Sequence, residues 1–166
     1  MASGADEAIG VAAGLVRMSF LVQGVYARVA DHHDLTPAQA KLLCILAERP
    51  RGMAEVAGLF GVEKAALTGL VDRAERRGLA VRAAVPGDRR AVRVTLTESG
   101  NRAAAAFHHD VSAELDDLVA ELPQTERDMF RRSLARIIQT HRVPPVFPAA
   151  AQQPTAPAVC RPHSGD

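Results

Sequence analysis

Cysteine is scarce in this 166-residue chain: there are only two, Cys44 and Cys160, far apart in sequence. Two isolated thiols exclude a disulfide framework and offer no metal-ligand spacing. Aromatic side chains are scarce too, with one tyrosine, five phenylalanines and no tryptophan. No run of 18 apolar residues occurs, which excludes a membrane-spanning helix. The opening "MASGADEAIG" carries acids and no basic stretch of the secretory type, so a cytoplasmic location is expected. No phosphate-cradling loop, nucleophile–base pair or carboxylate pair stands at a convincing spacing, so neither an enzyme nor a cofactor is expected. Lysine is rare as well: of the 20 basic residues two are lysine, a bias we attribute to a GC-rich coding sequence.

Charge is present but unevenly spread. The chain as a whole carries only +1. Between Lys64 and Arg93, however, eight basic residues (Lys64, Arg73, Arg76, Arg77, Arg82, Arg89, Arg90, Arg93) face three acids (Asp72, Glu75, Asp88), a local excess of five. A basic centre between acidic arms suits a nucleic-acid footprint within a larger body.

The apolar pattern predicts a mainly α fold of about six helices with one small β-hairpin. Residues 6–31 read as a long helix whose apolar face, with Ile9, Leu15, Val16, Met18, Val22, Val25 and Val29, is wider than a lone surface helix needs; a dimer would bury it on two sides. Thr36, Pro37 and Gln39 form a helix-start signal, cap, first-turn proline and capping box, ahead of Leu42, Leu43, Ile45 and Leu46. "MAEVAGLF" is a short helix ending at Gly61, and Glu63–Arg77 a second one with Leu67, Leu70, Val71 and Ala74 on one face. Gly78 fits the left-handed position after a helix end. "LAVRAAV" and "AVRVTL" read as a hairpin joined by a turn over Pro86–Arg90. Thr97 caps a further helix over about 98–121, Pro123 ends it, and "TERDMFRRSLARIIQTHR" is the last. From Val143 onward six prolines and no core-forming pattern predict a disordered tail.

Short helix, glycine turn, longer helix, hairpin is the order of a winged helix-turn-helix. In that arrangement the second helix of the pair lies in the major groove of DNA. Its apolar face holds it to the domain, while Lys64, Ala65, Thr68, Gly69, Asp72 and Arg73 face outward. Small residues and Gly69 permit close approach to DNA. The hairpin tip, with Asp88, Arg89 and Arg90, reaches for the neighbouring minor groove, whose negative potential favours arginine.

In "LTPAQAKLLCIL", "GVEKAALTGLVDRAERRGLAVR", "PGDRRAVRVTLTESG" and "LPQTERDMFRRSLARI" the chain resembles the MarR family of bacterial transcription regulators, in order and spacing, over about residues 8–141. The Asp88-x-Arg90 signature followed by the Leu-Thr-Gly stretch is the most specific part. The resemblance implies a homodimer that acts on a pseudo-palindromic operator in double-stranded DNA, chiefly as a repressor. It implies an N-terminal dimerisation helix (1–35), a winged module (36–96), C-terminal dimerisation helices (97–142) and a tail (143–166). Arg90 would be the minor-groove arginine, with Glu63 placed to pair with it. Ala65, Ala66, Thr68 and Arg73 would face the major groove, and Arg77, Arg82, Arg89 and Arg93 would contact phosphates. Two positions depart from the family pattern: Glu63, where Ser or Asp is frequent, and Gly69, where a long basic side chain is usual.

Members of the family commonly release DNA on binding a small aromatic or phenolic acid, or on oxidation of a cysteine. The corresponding effector pocket would be lined by Phe20, Tyr26, Val29, His32, Leu43, Phe107 and Val111. Cys44, in the apolar "KLLCILA", reads as a buried hydrophobe, with a redox-sensing thiol as the alternative. No metal is expected, because adjacent histidines such as His32–His33 and His108–His109 point about 100° apart on a helix. A different class, a winged helix used for protein interaction with DNA binding lost, would call for acids where Arg89 and Arg90 stand.

Overall fold

The computed structural model describes residues 9–85 and 88–141; the side chains of Lys64, Val85 and residues 88–91 fall outside that description. Six helices and three strands follow in the order α1 (Val11–His32), α2 (Pro37–Glu48), β1 (Arg51–Gly52), α3 (Met53–Phe60), α4 (Lys64–Arg76), β2 (Ala80–Val85), β3 (Asp88–Leu96), α5 (Glu98–Asp117) and α6 (Gln124–Thr140). The three strands form one antiparallel sheet in the order β1-β3-β2. This is a winged helix-turn-helix carried on a helical body, as the sequence predicts.

The local signals act where they stand in the chain. The Thr36 hydroxyl accepts from the Gln39 amide while the Gln39 side chain accepts from the Thr36 amide, so α2 begins on a complete capping box. Gly61 and Gly78 adopt φ of 68° and 67°, the left-handed turns that end α3 and α4. Thr97 caps α5 by accepting from the Gly100 amide.

Four boundaries differ from expectation. The first helix starts at Val11, after Gly10, so Ile9 lies ahead of the helix and off its apolar stripe. The hairpin turn is shorter than Pro86–Arg90, because Asp88, Arg89 and Arg90 already belong to β3. Helix α5 stops at Asp117 rather than near 121. Asp116 and Asp117 sit at its carbonyl end, where negative charge opposes the helix dipole and no basic residue compensates; the chain then continues in tighter turns, with Val119 donating to Asp116 and Ala120 to Asp117. Helix α6 begins at Gln124 and ends at Thr140. The expected tail over 143–166 lies outside the described residues.

Strand β1 carries no sequence signal of its own. Arg51 is opposite Val94 and Gly52 opposite Arg93. Arg51 is buried, and its guanidinium donates to the Ile45 carbonyl and pairs with Glu48 and Glu55. Arg49 also donates to Glu55, and these guanidinium hydrogen bonds hold the Glu55 carboxyl below the usual carboxylate range. A buried cation is tolerable only when so paired.

The core gathers Val25, Val29 and Ala30 of α1, nearly all of the apolar face of α2, Val56 of α3, Leu67, Leu70, Val71 and Ala74 of α4, Val94 and Leu96 of β3, and Ala104, Phe107 and Val111 of α5. Arg28–Glu114 and His33–Asp110 (2.8 Å) tie α1 and the residue that caps its end to α5 at the core's rim. Helix α6 contributes no buried residue.

Candidate nucleic-acid interface

Helix α4 is held by one face and offers the other. Its inner face is the buried row Leu67, Leu70, Val71 and Ala74, while Ala65, Ala66, Thr68, Asp72 and Arg73 are exposed. Glu63 is the N-cap residue, but its side chain makes no capping bond, in keeping with the weakness of glutamate in that role. Lys64 opens the helix. Among the described residues, a methyl group built on Gly69 would touch just the Arg73 guanidinium, at 3.5 Å. The Arg73 side chain therefore lies back over Gly69.

The other predicted site residues separate into three groups. Arg93 is exposed on β3. Asp88, Arg89 and Arg90 have their backbone in β3, but their side chains, and with them the expected Glu63–Arg90 pairing, lie outside the described residues. Arg77 and Arg82 are engaged within the chain. Arg77 donates to the Asp34 carbonyl and, at 3.0 Å, to the Gln39 side chain, joining the end of α4 to the start of α2. Arg82 sits on the sheet face of Val94, directly opposite it in register. Its amide donates to Glu75 at 2.8 Å, and its guanidinium pairs with Glu75 and, at 2.8 Å, with Asp72. The residue that sequence reasoning did not single out here is Glu75. Its signal is Asp72-x-x-Glu75, two acids about one turn apart on a helix, followed by an arginine on the inward-facing register of the next strand.

The root of the wing is equally constrained. The Gly78 carbonyl accepts from the hydroxyls of Thr97 and Ser99, both at 2.6 Å. The Thr97 amide donates to the Leu79 carbonyl. A Cβ on Gly100 would stand 1.8 Å from that same carbonyl oxygen, so the start of α5 passes the base of the hairpin with no room for any side chain.

Of the expected effector-pocket residues, Val29, Leu43, Phe107 and Val111 are together in the core, and Tyr26 packs edge-on to Phe107 with ring centroids 5.6 Å apart. Burial, with the neighbouring Cys44 second, pushes the Tyr26 hydroxyl above its usual range. Phe20 is not brought to them and is 69% exposed. It precedes Val25 by five residues, which at about 100° per residue places it on another side of α1. His32 is exposed and, with Val29, Asp110, Ala113 and Glu114, lines an open cleft of about 310 Å³ between α1 and α5. Cys44 is 4% exposed, and burial pushes its thiol up to about 12.

An outward-facing second helix backed by a β-hairpin makes this a winged helix-turn-helix protein. The MarR family model matches residues 33–91, which span α2 to the hairpin. The regulator MhqR of Bacillus subtilis (strain 168) is 24% identical over 130 residues, 74% of this chain and 90% of its own. The solved structure of the transcriptional repressor CouR bound to a 23-mer DNA duplex is 30% identical, covering 77% of this chain and 92% of that one, with a TM-score of 0.64. CouR of Rhodococcus jostii RHA1 bound to p-coumaroyl-CoA is 28% identical over 81% and 95%, with a TM-score of 0.63. The chain belongs to the MarR family of transcriptional regulators. Among the described residues no helix is long and apolar enough to cross a membrane.

Proposed function

We propose that this protein is a dimeric, sequence-specific regulator of transcription, a repressor that grips a pseudo-palindromic operator in double-stranded DNA. The observation that carries this reading is the one-sided seating of α4: four apolar side chains fix it to the core, and a face of small residues with Asp72 and Arg73 is left to solvent beside a strand that bears Arg89, Arg90 and Arg93. A helix presented in this way fits the major groove, and a basic hairpin beside it fits the adjoining minor groove. Similarity to CouR, solved on a DNA duplex, supports the same reading.

Duplication is supported by apolar surface that the single chain leaves uncovered: Val11, Leu15, Phe20 and Leu21 on α1, and Met129, Leu134, Ile137 and Ile138 on α6. Release by a small aromatic or phenolic effector is supported by likeness to CouR, solved with p-coumaroyl-CoA, and by the cleft beside His32 and Val29. A redox trigger at Cys44 is disfavoured, since a thiol buried and held protonated is a poor nucleophile.

Selection of bound fragments from the parent genome, followed by gel-shift titration, tests the proposal. Arg90→Ala should weaken operator binding by ~1–3 kcal/mol. Affinity should fall steeply with salt, by a log–log slope of about −0.9 per neutralised phosphate. A flat salt response would instead support a protein-interaction module.

A further inference from the structure

We propose that Arg82 is a positioning residue: with Glu75 and Asp72 it locks the wing to the reading helix at a fixed angle and makes no phosphate contact. This inference deepens the regulator reading above and rests on it.

Arg82 belongs to the basic cluster by sequence, and by charge alone it would be counted toward DNA. Its surroundings assign it elsewhere. It lies on the same sheet face as buried Val94, so its stem runs toward the domain. Glu75 takes both the Arg82 amide and its guanidinium, which fixes the strand backbone as well as the side chain. Asp72, about one turn earlier on α4, takes the other guanidinium nitrogen at 2.8 Å. Arg82 and Glu75 are both mostly covered, with side-chain exposures of 28% and 27%. Two carboxylates therefore meet one guanidinium, and the planar fork of arginine suits holding both at once.

The clamp has two consequences. Helix and hairpin are joined by the left-handed turn at Gly78, whose carbonyl is held by Thr97 and Ser99, and the carboxylate pair supplies a further attachment beyond that root, on β2. Asp72 is also on the exposed face of α4, where an uncompensated acid would repel phosphates. Arg82 cancels it there. The free positive charge is left to Arg73, Arg76 and Arg93, for which no carboxylate partner is found among the described residues.

Three proteins decide the matter: wild type, Arg82→Gln and Glu75→Gln. The second variant keeps the side-chain shape and an acceptor for the Arg82 amide, so it remains folded even where the first does not. Each should speed amide hydrogen exchange across β2 and β3 by about tenfold or more, and should weaken operator binding by about tenfold. The log–log salt slope should stay at the wild-type value in both. A phosphate-contacting Arg82 gives the opposite pattern: the slope of Arg82→Gln shrinks by about 0.9, while Glu75→Gln binds as tightly as wild type or tighter, having lost an acid. That pattern, or unchanged exchange in both variants, overturns the proposal. A wild-type protein that binds no operator at all sinks the regulator reading itself, and the exchange measurement still decides whether the clamp exists.

Discussion

Three single positions show how differently glycine and cysteine can be used. At Gly100 the constraint is contact: a Cβ would stand 1.8 Å from the Leu79 carbonyl oxygen, a backbone atom that cannot step aside. Gly100→Ala should destabilise the fold by about 3 kcal/mol, the upper part of the overpacking range, measured as a loss in urea unfolding free energy. At Gly69 an added Cβ would meet, among the described residues, just the flexible end of Arg73, and Gly in a helix costs roughly 0.5–1 kcal/mol against Ala. Gly69→Ala should therefore stabilise the protein by that amount; if Gly69 also serves close approach to DNA, the same variant loses operator affinity while gaining stability. A drop in stability would show that the Arg73 contact had been misjudged. At Cys44 burial dominates, with the thiol pushed up to about 12. Its thiolate is essentially unpopulated at neutral pH, so iodoacetamide should modify it only as fast as the protein opens. The rate should rise sharply in denaturant. Rapid alkylation of Cys44 in the native protein, read by peptide mapping apart from Cys160, would restore the redox reading.

At the scale of elements, what was legible in the sequence is what local chemistry decides. The α2 capping box, the glycine turns at Gly61 and Gly78, the Thr97 cap and the inner row of α4 each depend on residues within a few positions of one another, and each is found where the sequence places it. The ends of α1 and α5 depend on balances of charge and solvation that periodicity does not report. Strand β1 is two residues long and exists because β3 is there to pair with it, a long-range fact. The same holds at the site. The outward face of α4 follows from helical spacing, whereas Arg82 and Arg77 look like free cations in one dimension and become committed only when Glu75, Asp72, Asp34 and Gln39 are folded against them. The Arg51 cluster makes the same point energetically. Its guanidinium is buried on Glu48, Glu55 and the Ile45 carbonyl, but both carboxylates reach solvent and Glu55 keeps Arg49, so Arg51→Ala should cost about 1.5–3 kcal/mol, the range for lost hydrogen bonds to charged groups. Glu55, held below the usual carboxylate range by Arg49 and Arg51, contributes stability that is present above its unfolded pKa and is lost as pH falls through the folded value. An acid titration of unfolding free energy should show this loss diminished in Glu55→Gln.

For the whole molecule, the distribution of burial argues that one chain is an incomplete unit. The winged module has a closed core. Helix α6 has no buried residue, yet Phe130, Leu134, Ile137 and Ile138 place apolar side chains along it at helical spacing, and Val11, Leu15 and Met18 do the same on α1. An apolar face of this length would associate or aggregate if left in water, and a closed two-fold pairing covers it with a second copy of itself. On the proposed function, two copies of α4 then come at a fixed separation, and the second engages DNA at the effective concentration set by the first, a gain of 10²–10⁴ in favourable cases. Changing Leu134 and Ile137 together to glutamate should leave the winged core folded, since neither side chain is part of it, and should convert a dimer into a monomer in sedimentation equilibrium. Operator affinity should fall by about the avidity factor, while the weak binding of one module to a half-site persists with roughly half the salt slope. A double variant that remains dimeric would move the interface elsewhere. A wild type that is already monomeric at micromolar concentration would remove the geometric basis for reading a two-fold operator.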